Sequence, residues 1–454
     1  MKQSKAYTNL LAFIDSYWDK IIIKPEVRRI NRQTVKRVIM RNPHDTNPHV
    51  ITVPYTCLVP NEGRFKTIIF YWDTYFMFRG LIDTKHEWVI PEMIENFIYL
   101  FKRYGIIPNF SHPSALNRSQ PPFLTSMIFD AYAVLKRDKR ISSRIKKLFI
   151  TPNKWLATRI ETAKKEYTDI WVSSSNHETQ SNYNHYVDEF QLNRYGDRDV
   201  GYPMLSELES GWDLTSRFYS RCNEFLPIDL NCYLYKYERD FARAARILKK
   251  EKEASVWNEK AQERKNRMIS LMWNEKEGFF YDYDYVHRKQ STFHSLAGFA
   301  PLWAGLATVE QAERMRKKLS LFETDYGLTI TDKNSLAWNL DLRLISEPRR
   351  ITIEETFNHQ QWDWPHIWSP MEYMTVIGLV RYGFLDDAKR IMEEAITTNI
   401  AVYNKYHCLL EKIDATTGGA AKNHAYPNQL GFGWTNAAIY RYSQILEALK
   451  KKQT

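Results

Sequence analysis

Three polar, aromatic segments of this sequence carry a Trp-Asp dipeptide: Trp72-Asp73, Trp212-Asp213 and Trp362-Asp363. The pairing has a chemical use. A neutral polyol is held by carboxylates and planar amides that bridge neighbouring hydroxyls, while an indole face stacks on the C–H face of the ring. Each dipeptide sits in a segment dense in carboxylate, amide, Arg and Trp, and two more segments share that character. The first segment is GRFKTIIFYWDTYF (63–76), with Arg64. The second runs from Ile107-Pro108-Asn109 to LNRSQPPF, with Asn117, Arg118, Ser119 and Gln120. The third is ESGWDLTSR (209–217), with Glu209 and Arg217. The fourth is NHQQWDWPHIW (358–368), with Gln361, Trp364 and His366. The fifth runs from LLEKIDATTGG at Leu409 to AYPNQLGFGWTN, with Glu411, Asp414, Tyr426, Phe432 and Trp434.

Glycoside hydrolysis needs two carboxyl groups on opposite sides of the scissile bond, one a protonated acid and the other an ionised base or nucleophile. Asp73, Glu209, Asp213, Asp363, Glu411 and Asp414 are the candidates, and spacing does not choose among them. Each alone is more often a helix cap or surface ion pair. Trp362 and Trp364 read equally as alternating core, and Arg118 as a structural Arg on helix-terminal carbonyls. His177, His185, His359 and His366 form no HxH, HxxxH or HExxH pattern, so no metal and no cofactor is expected. GxGxxG, GxxxxGK[ST] and GxSxG are all absent, which leaves nucleotide and serine-hydrolase chemistry without support.

Helical periodicity must position these segments. Residues 90–104 place Ile94, Phe97, Ile98 and Phe101 on one face, and 122–137 open on Pro122 and close on basic residues. Similar patterns span 141–168, 229–248, 252–272, 308–318, 371–382, 385–398 and 435–449. Strand alternation is sparse, and Gly is only 16 of 454 residues, too few for a turn-rich β architecture. No linker or short repeat divides the chain. The reading is an all-α helical barrel with binding loops gathered at one end, in which residues 1–50 are a helical or extended lead-in and 51–454 a single catalytic domain. The 14 Trp, 28 Tyr and 23 Phe suit sugar-stacking pockets and thick core packing alike. The net charge of +11 is dispersed rather than striped, which argues against nucleic acid as a partner. No apolar run reaches membrane-spanning length, the start lacks a signal-peptide pattern, and four scattered cysteines form no framework. A reducing, cytoplasmic setting is expected, with no membrane partner and an undetermined oligomeric state.

Taken together, the five segments resemble, in order, the motifs of the trehalase family of inverting glycoside hydrolases, from about Pro54 to Asn436. PIDLN (227–231), GFFYDYD (278–284) and FAPLWAG (299–305) resemble scaffold segments of the same family. A weaker version of the pattern occurs in mannosylglycerate and glucosylglycerate hydrolases. The resemblance implies an (α/α)6 barrel and hydrolysis with inversion and without metal. It implies Asp213 as general acid and Glu411 as general base. Arg64, Trp72, Asp73, Asn109, Arg118, Ser119, Gln120, Gly211, Trp362, Asp363, Trp364 and Trp434 become the expected sugar-binding residues, Gly211 through its main chain. Asp213 must then carry its proton near neutral pH, with Trp212 as an apolar wall. The two carboxyls should lie ~6.5–9.5 Å apart to admit a water.

The sequence departs from the family pattern around the second sugar. NRYGDRD (193–199) leads into Val200-Gly201-Tyr202-Pro203, without the usual Arg-Pro-Glu-Ser. Ala425 precedes Tyr426-Pro427 where a Glu is usual, Ile367 replaces a Gly, and Glu372 replaces a Gln. The Arg64–Trp72 spacing is one residue longer than the common pattern, and roughly 20 residues are inserted between Tyr326 and Gln361. The catalytic pair and first pocket are intact, while the groups that clamp the leaving sugar have changed. The leading expectation is a small α-glycoside, foremost α,α-trehalose cleaved to two glucoses. The alternatives are another small α-glucoside or α-mannoside, with Arg194, Arg198 and His424 facing an anionic aglycone, or an inactive sugar-binding protein.

Overall fold

The computed structural model describes residues 5–24, 50–138, 151–173, 185–196, 203–337, 360–421 and 426–453, with the backbone alone of 27–30 and 33–36. Its helices are α1 (Lys5–Ile21), α2 (Tyr71–Leu81), α3 (Val89–Tyr104), α4 (Leu124–Arg137), α5 (Pro152–Glu166), α6 (Pro203–Ser210), α7 (Ile228–Ile247), α8 (Glu251–Met272), α9 (Ala300–Ala304), α10 (Val309–Arg316), α11 (Lys333–Ala337), α12 (Ser369–Arg381), α13 (Leu385–Tyr406) and α14 (Gly433–Gln453). Strands among the described residues are short and form only two- and three-stranded ribbons.

Six helices close a ring: α2 packs on α4, α4 on α7, α7 on α9, α9 on α12, α12 on α14, and α14 back on α2. Outside it, α3 covers α2 and α4, α5 covers α4 and α7, α8 covers α7, and α13 covers α12 and α14. The amino-terminal α1 packs on α13 and α14 and completes the outer layer. This is the (α/α)6 barrel. The inner contacts are close: a Cβ on Gly80 of α2 would lie 2.6 Å from the Ala437 Cα of α14 and 2.6 Å from the Trp18 indole of α1. Inner helices bury almost every side chain, whereas outer ones such as α3 keep a polar stripe.

The helix boundaries differ from the periodicity in explicable ways. α4 starts at Leu124 rather than Pro122, because the Leu124 amide donates to the hydroxyls of Tyr71 (3.1 Å) and Tyr237 (2.8 Å). α5 starts at Pro152, with the Thr151 hydroxyl accepting from the Lys154 amide. The expected helical residues 141–150 lie outside the described residues. α13 runs eight residues beyond the expected 398. α2 was not expected at all: the segment YWDTYFMFRGL is buried on nearly all sides, so it carries no amphipathic signal. No helix among the described residues is long and apolar enough to cross a membrane.

Candidate active site

The five segments meet where the amino-terminal ends of inner helices converge. At the start of α2, the Tyr71 amide donates to the Asn109 carbonyl (3.2 Å) and the Trp72 amide to Gln120 Oε1 (3.1 Å). The loop 107–120 thus satisfies two of the orphan donors of α2. The Asn109 side chain donates to the carbonyls of Ser119 and Leu208, both at 2.9 Å. The Ser119 amide donates to Glu209 Oε1 (2.8 Å), and its hydroxyl to the Ile107 carbonyl (2.8 Å). Asn109 and Ser119 therefore join α6 to α2, with these donors directed at scaffold. Glu209 Oε2 also pairs with His185 Nε2 (2.7 Å) and accepts from the Gly196 amide (2.6 Å). Burial pushes Glu209 up, but His185 and these hydrogen bonds outweigh it and hold the carboxyl below its ordinary range.

After α6 the chain turns sharply through Gly211 (φ 75) and Leu214 (φ 62), which flank Trp212 and Asp213. Glycine is required at 211: a Cβ there would lie 2.6 Å from Trp72 Cζ2. Two braces fix the turn. Glu207 accepts from the Thr215 amide (3.1 Å), and Asp363 accepts from the Thr215 hydroxyl (2.9 Å) and the Ser216 amide (2.9 Å). Below it, Arg217 is fully buried between Asp229 and Asp282, bidentate to both, with its guanidinium 4.5 Å from the Trp212 ring. Among the described residues nothing donates a hydrogen bond to the Asp213 carboxylate. Burial pushes its pKa up to about 7, with repulsion from Glu411 adding and Arg118 and Lys412 opposing.

The fourth and fifth segments are joined by a ribbon in which His366–Ile367 pairs with Ile413–Asp414, and that strand with Gly419–Ala420. The Glu411 amide donates to the Gln429 carbonyl (2.9 Å), and the Trp434 indole N–H to the Glu411 carbonyl (3.0 Å). The Glu411 carboxylate is buried. Its Oε1 accepts from Tyr426 Oη (2.9 Å) and its Oε2 from Lys412 Nζ (3.1 Å). Burial raises its pKa, and these two partners pull it back. Asp73, in the first turn of α2, is raised well above the usual carboxylate range by burial, then by Glu411 and Asp213. These mutual effects put Asp73, Asp213 and Glu411 in one site.

Five indoles form its wall. Trp362 stacks on Trp368 at 4.0 Å and 9°, and its ring centroid lies 5.5 Å from Trp72 and 5.6 Å from Trp212. Trp434 packs edge-on against Trp72 and Trp368. Arg118 reaches the same site, since Asp213 and Glu209 both act on its charge, and its buried Nε has no partner among the described residues. Arg64 is exposed, with its guanidinium 5.2 Å from the Tyr426 ring.

Other residues are placed elsewhere. Asp363, whose pKa is pushed up to about 6 by burial, braces the loop that carries Asp213. Asp414 accepts from the amide and hydroxyl of Thr416 in a turn. Trp364 is half-buried beneath the Lys333 ammonium (5.0 Å). Arg194 donates to the Asn223 carbonyl (2.7 Å), whereas Arg198, His424 and Ala425 lie outside the described residues, as do positions 338–359 of the insertion. Lys412 and Gln361 were not among the residues expected at the sugar, nor was Tyr426. The signal for Lys412 was a lysine beside a carboxylate inside an apolar run, LLEKI.

A model of the trehalase family matches residues 12–447. The chain is 28% identical over 456 residues to a cytosolic neutral trehalase of Beauveria bassiana, covering 85% of this chain and 58% of that protein. It is 28% identical over 468 residues to a cytosolic neutral trehalase of Emericella nidulans, covering 88% and 58%. It thus spans 58% of the length of these curated relatives. In three dimensions it is similar to neutral trehalase from Saccharomyces cerevisiae, with a TM-score of 0.75 and 21% identity over 97% of this chain and 94% of that one. It is also similar to a mannosylglycerate hydrolase from Thermus thermophilus, with a TM-score of 0.58 and 16% identity over 85% and 95%. At these identities the two likenesses establish the barrel fold.

Proposed function

Because the chain belongs to the trehalase family, we propose that it is an inverting glycoside hydrolase of small α-glycosides, foremost α,α-trehalose. The observation that carries this reading is a pair of carboxyls in one indole-walled site with different partners. Asp213 keeps its proton to about pH 7. Glu411 is bound through both oxygens by a phenol and an ammonium, which favour its ionised form. Asp213 gives its proton to the glycosidic oxygen as the C–O bond breaks. Glu411 takes a proton from a water that attacks the anomeric carbon from the opposite face, and the configuration inverts. After release the acid is reprotonated and the base deprotonated through solvent.

Trp72, Asp73, Arg118, Gln120 and Arg64 hold the sugar in this reading, with Gly211, Trp362 and Trp434 shaping its wall. Asn109, Ser119, Asp363 and Trp364 act by fixing loops. The changes at Val200, Gly201 and Ala425 favour a second reading, another small α-glucoside or α-mannoside in place of trehalose, since lost clamps on the leaving group change specificity and not the chemistry. Residues 51–454 hold every proposed site residue, and the lead-in contributes α1 to the outer layer. A cytosolic setting is proposed from the names of the two curated relatives.

The test is glucose release from trehalose by the wild type and by Asp213→Asn, with thermal-shift titration of trehalose on both. Release by the wild type, lost in the variant while binding stays within a few-fold, supports the assignment. No release from trehalose or from any α-glucoside or α-mannoside overturns it.

A further inference from the structure

Among the described residues Lys412 is the one buried ammonium beside the proposed base, and the proposed reaction gives it no part. Its side chain has no solvent exposure. An ammonium out of water is unfavourable unless it is paired and hydrogen-bonded, and here every contact converges on Glu411 or on what holds it. Nζ donates to Glu411 Oε2 (3.1 Å) and Gln361 Oε1 (3.3 Å). It lies 4.5 Å from the Tyr426 ring centroid and 4.8 Å from that of Trp368, within cation–π range of both faces. Tyr426 itself donates to Glu411 Oε1 (2.9 Å), and the Trp368 indole N–H donates to the Gln361 carbonyl (2.8 Å). The cage is therefore anchored on both sides.

We propose that Lys412 is a positioning residue for the hydrolytic base. It holds one oxygen of Glu411, keeps that carboxylate ionised among like charges, and leaves its remaining lone pairs for the attacking water. A carboxylate has about four acceptor positions, and the described side chains occupy two. The proposal rests on the reading of Glu411 as base.

The electrostatic surroundings explain why a cation is needed. Asp73 from α2 and Asp213 from the loop after α6 both oppose ionisation of Glu411. Tyr426, Lys412 and the Gln429 peptide favour it. Asp213 in turn faces Arg118 and Lys412 as favourable partners, and Glu207 as a like charge. Arg64 stands over Tyr426 at the rim. Burial pulls the Lys412 ammonium below its ordinary range, and Glu411 and Asp213 hold it up. Removing this one positive charge leaves Glu411 and Asp213 both harder to ionise.

Lys412→Gln removes the charge and keeps an N–H for Glu411 and Gln361. The expected result is a kcat/KM profile whose acidic and alkaline limbs both move to higher pH, the acidic one by ~1 unit. On the acidic side kcat falls ~10-fold for that unit, with little change in KM. Lys412→Arg should return the limbs to the wild-type positions. A Lys412→Gln profile superimposable on wild type overturns the proposal, even if the rate is lower.

A second readout does not need turnover. The infrared carboxyl C=O band that is missing in Glu411→Gln titrates in wild type, and in Lys412→Gln its midpoint should rise by the same ~1 unit. An unmoved midpoint overturns the proposal. A protein that hydrolyses no glycoside removes the hydrolase reading alone, because the infrared titration still decides the role of Lys412. Should Lys412→Gln fail to fold, the wild-type band decides at pH 7: an ionised Glu411 supports the proposal and a protonated one overturns it.

Discussion

Gly211 provides the sharpest single-atom test of how the acid is held. It sits two residues before Asp213 with φ 75, and an added Cβ would lie 2.6, 2.8 and 2.9 Å from Cζ2, Cε2 and Cη2 of Trp72. Comfortable carbon–carbon contact is about 3.5–4 Å, so Gly211→Ala needs a displacement of roughly 1 Å. The indole has little room to yield, being packed against Phe76, Trp362 and Trp434. A left-handed alanine costs ~1–2 kcal/mol and overpacking ~1–3 kcal/mol, together about 2–5 kcal/mol. Gly105, at the carboxyl-terminal end of α3, supplies the control. Its φ is 71, but nothing lies within 4 Å of its Cβ position, so Gly105→Ala should cost only ~1–2 kcal/mol. Because a misplacement of about 1 Å costs ~10²-fold in rate, Gly211→Ala should also lose that much kcat/KM, with Gly105→Ala near wild type. Urea unfolding and initial rates on both proteins measure these effects. Trp72→Phe deletes the colliding atoms, so the double variant with Gly211→Ala should be more stable than the sum of the single changes predicts. Equal stability and equal activity for the two alanine variants would refute the claim that Gly211 sets the acid loop against Trp72.

As the proposed general acid, Asp213 works only while protonated, and its pKa of about 7 predicts that kcat/KM falls tenfold per pH unit above about pH 7. The fall at lower pH follows protonation of Glu411, and both limbs report the coupled pair. An alkaline limb near the ordinary carboxylate value would contradict the burial argument. Glu372, buried in α12, accepts from the Leu328 amide, and burial pushes its pKa from 4.5 to about 7. Its neutral form fits the fold. The corresponding stability, about 3 kcal/mol, is therefore fully present below pH 4.5 and lost as pH rises to about 7. Denaturant titrations at pH 4.5 and 8 should show Glu372→Gln losing about 3 kcal/mol less than wild type between the two; an equal loss in both proteins would refute this.

The outer helices were legible because each has one face toward the barrel and one toward water. Ile94, Phe97, Ile98 and Phe101 of α3 mark that periodicity and are all buried. The inner ring was less legible for the same physical reason: α2 is buried nearly all round, so it reads as an aromatic segment without a period. α9 has only five residues, too few to show one. At the site, residue type pointed to sugar chemistry, and only the resemblance singled out Asp213 and Glu411 from six carboxyls. The structure separates these by their partners. Glu209 has His185, Asp363 has Thr215 and Ser216, and Asp414 has Thr416, while Asp73, Asp213 and Glu411 raise one another. The pairings of Glu209 and Asp363 depend on donors 24 to 148 residues away, as for His185–Glu209 and Thr215–Asp363, and a linear spacing carries no trace of them. Lys412 stayed hidden because a lysine next to a glutamate ordinarily reads as a solvated charge.

In the proposed mechanism Asp213 and Glu411 act from opposite faces of one glycosidic bond with a water between them. Proton NMR of fresh product tests it most directly. The protein is mixed with α,α-trehalose and the anomeric signals are followed before mutarotation. β-Glucose and α-glucose should appear together in equal amounts, one centre inverted and the other untouched. Initial release of α-glucose alone would mean retention, and would contradict a water activated by Glu411.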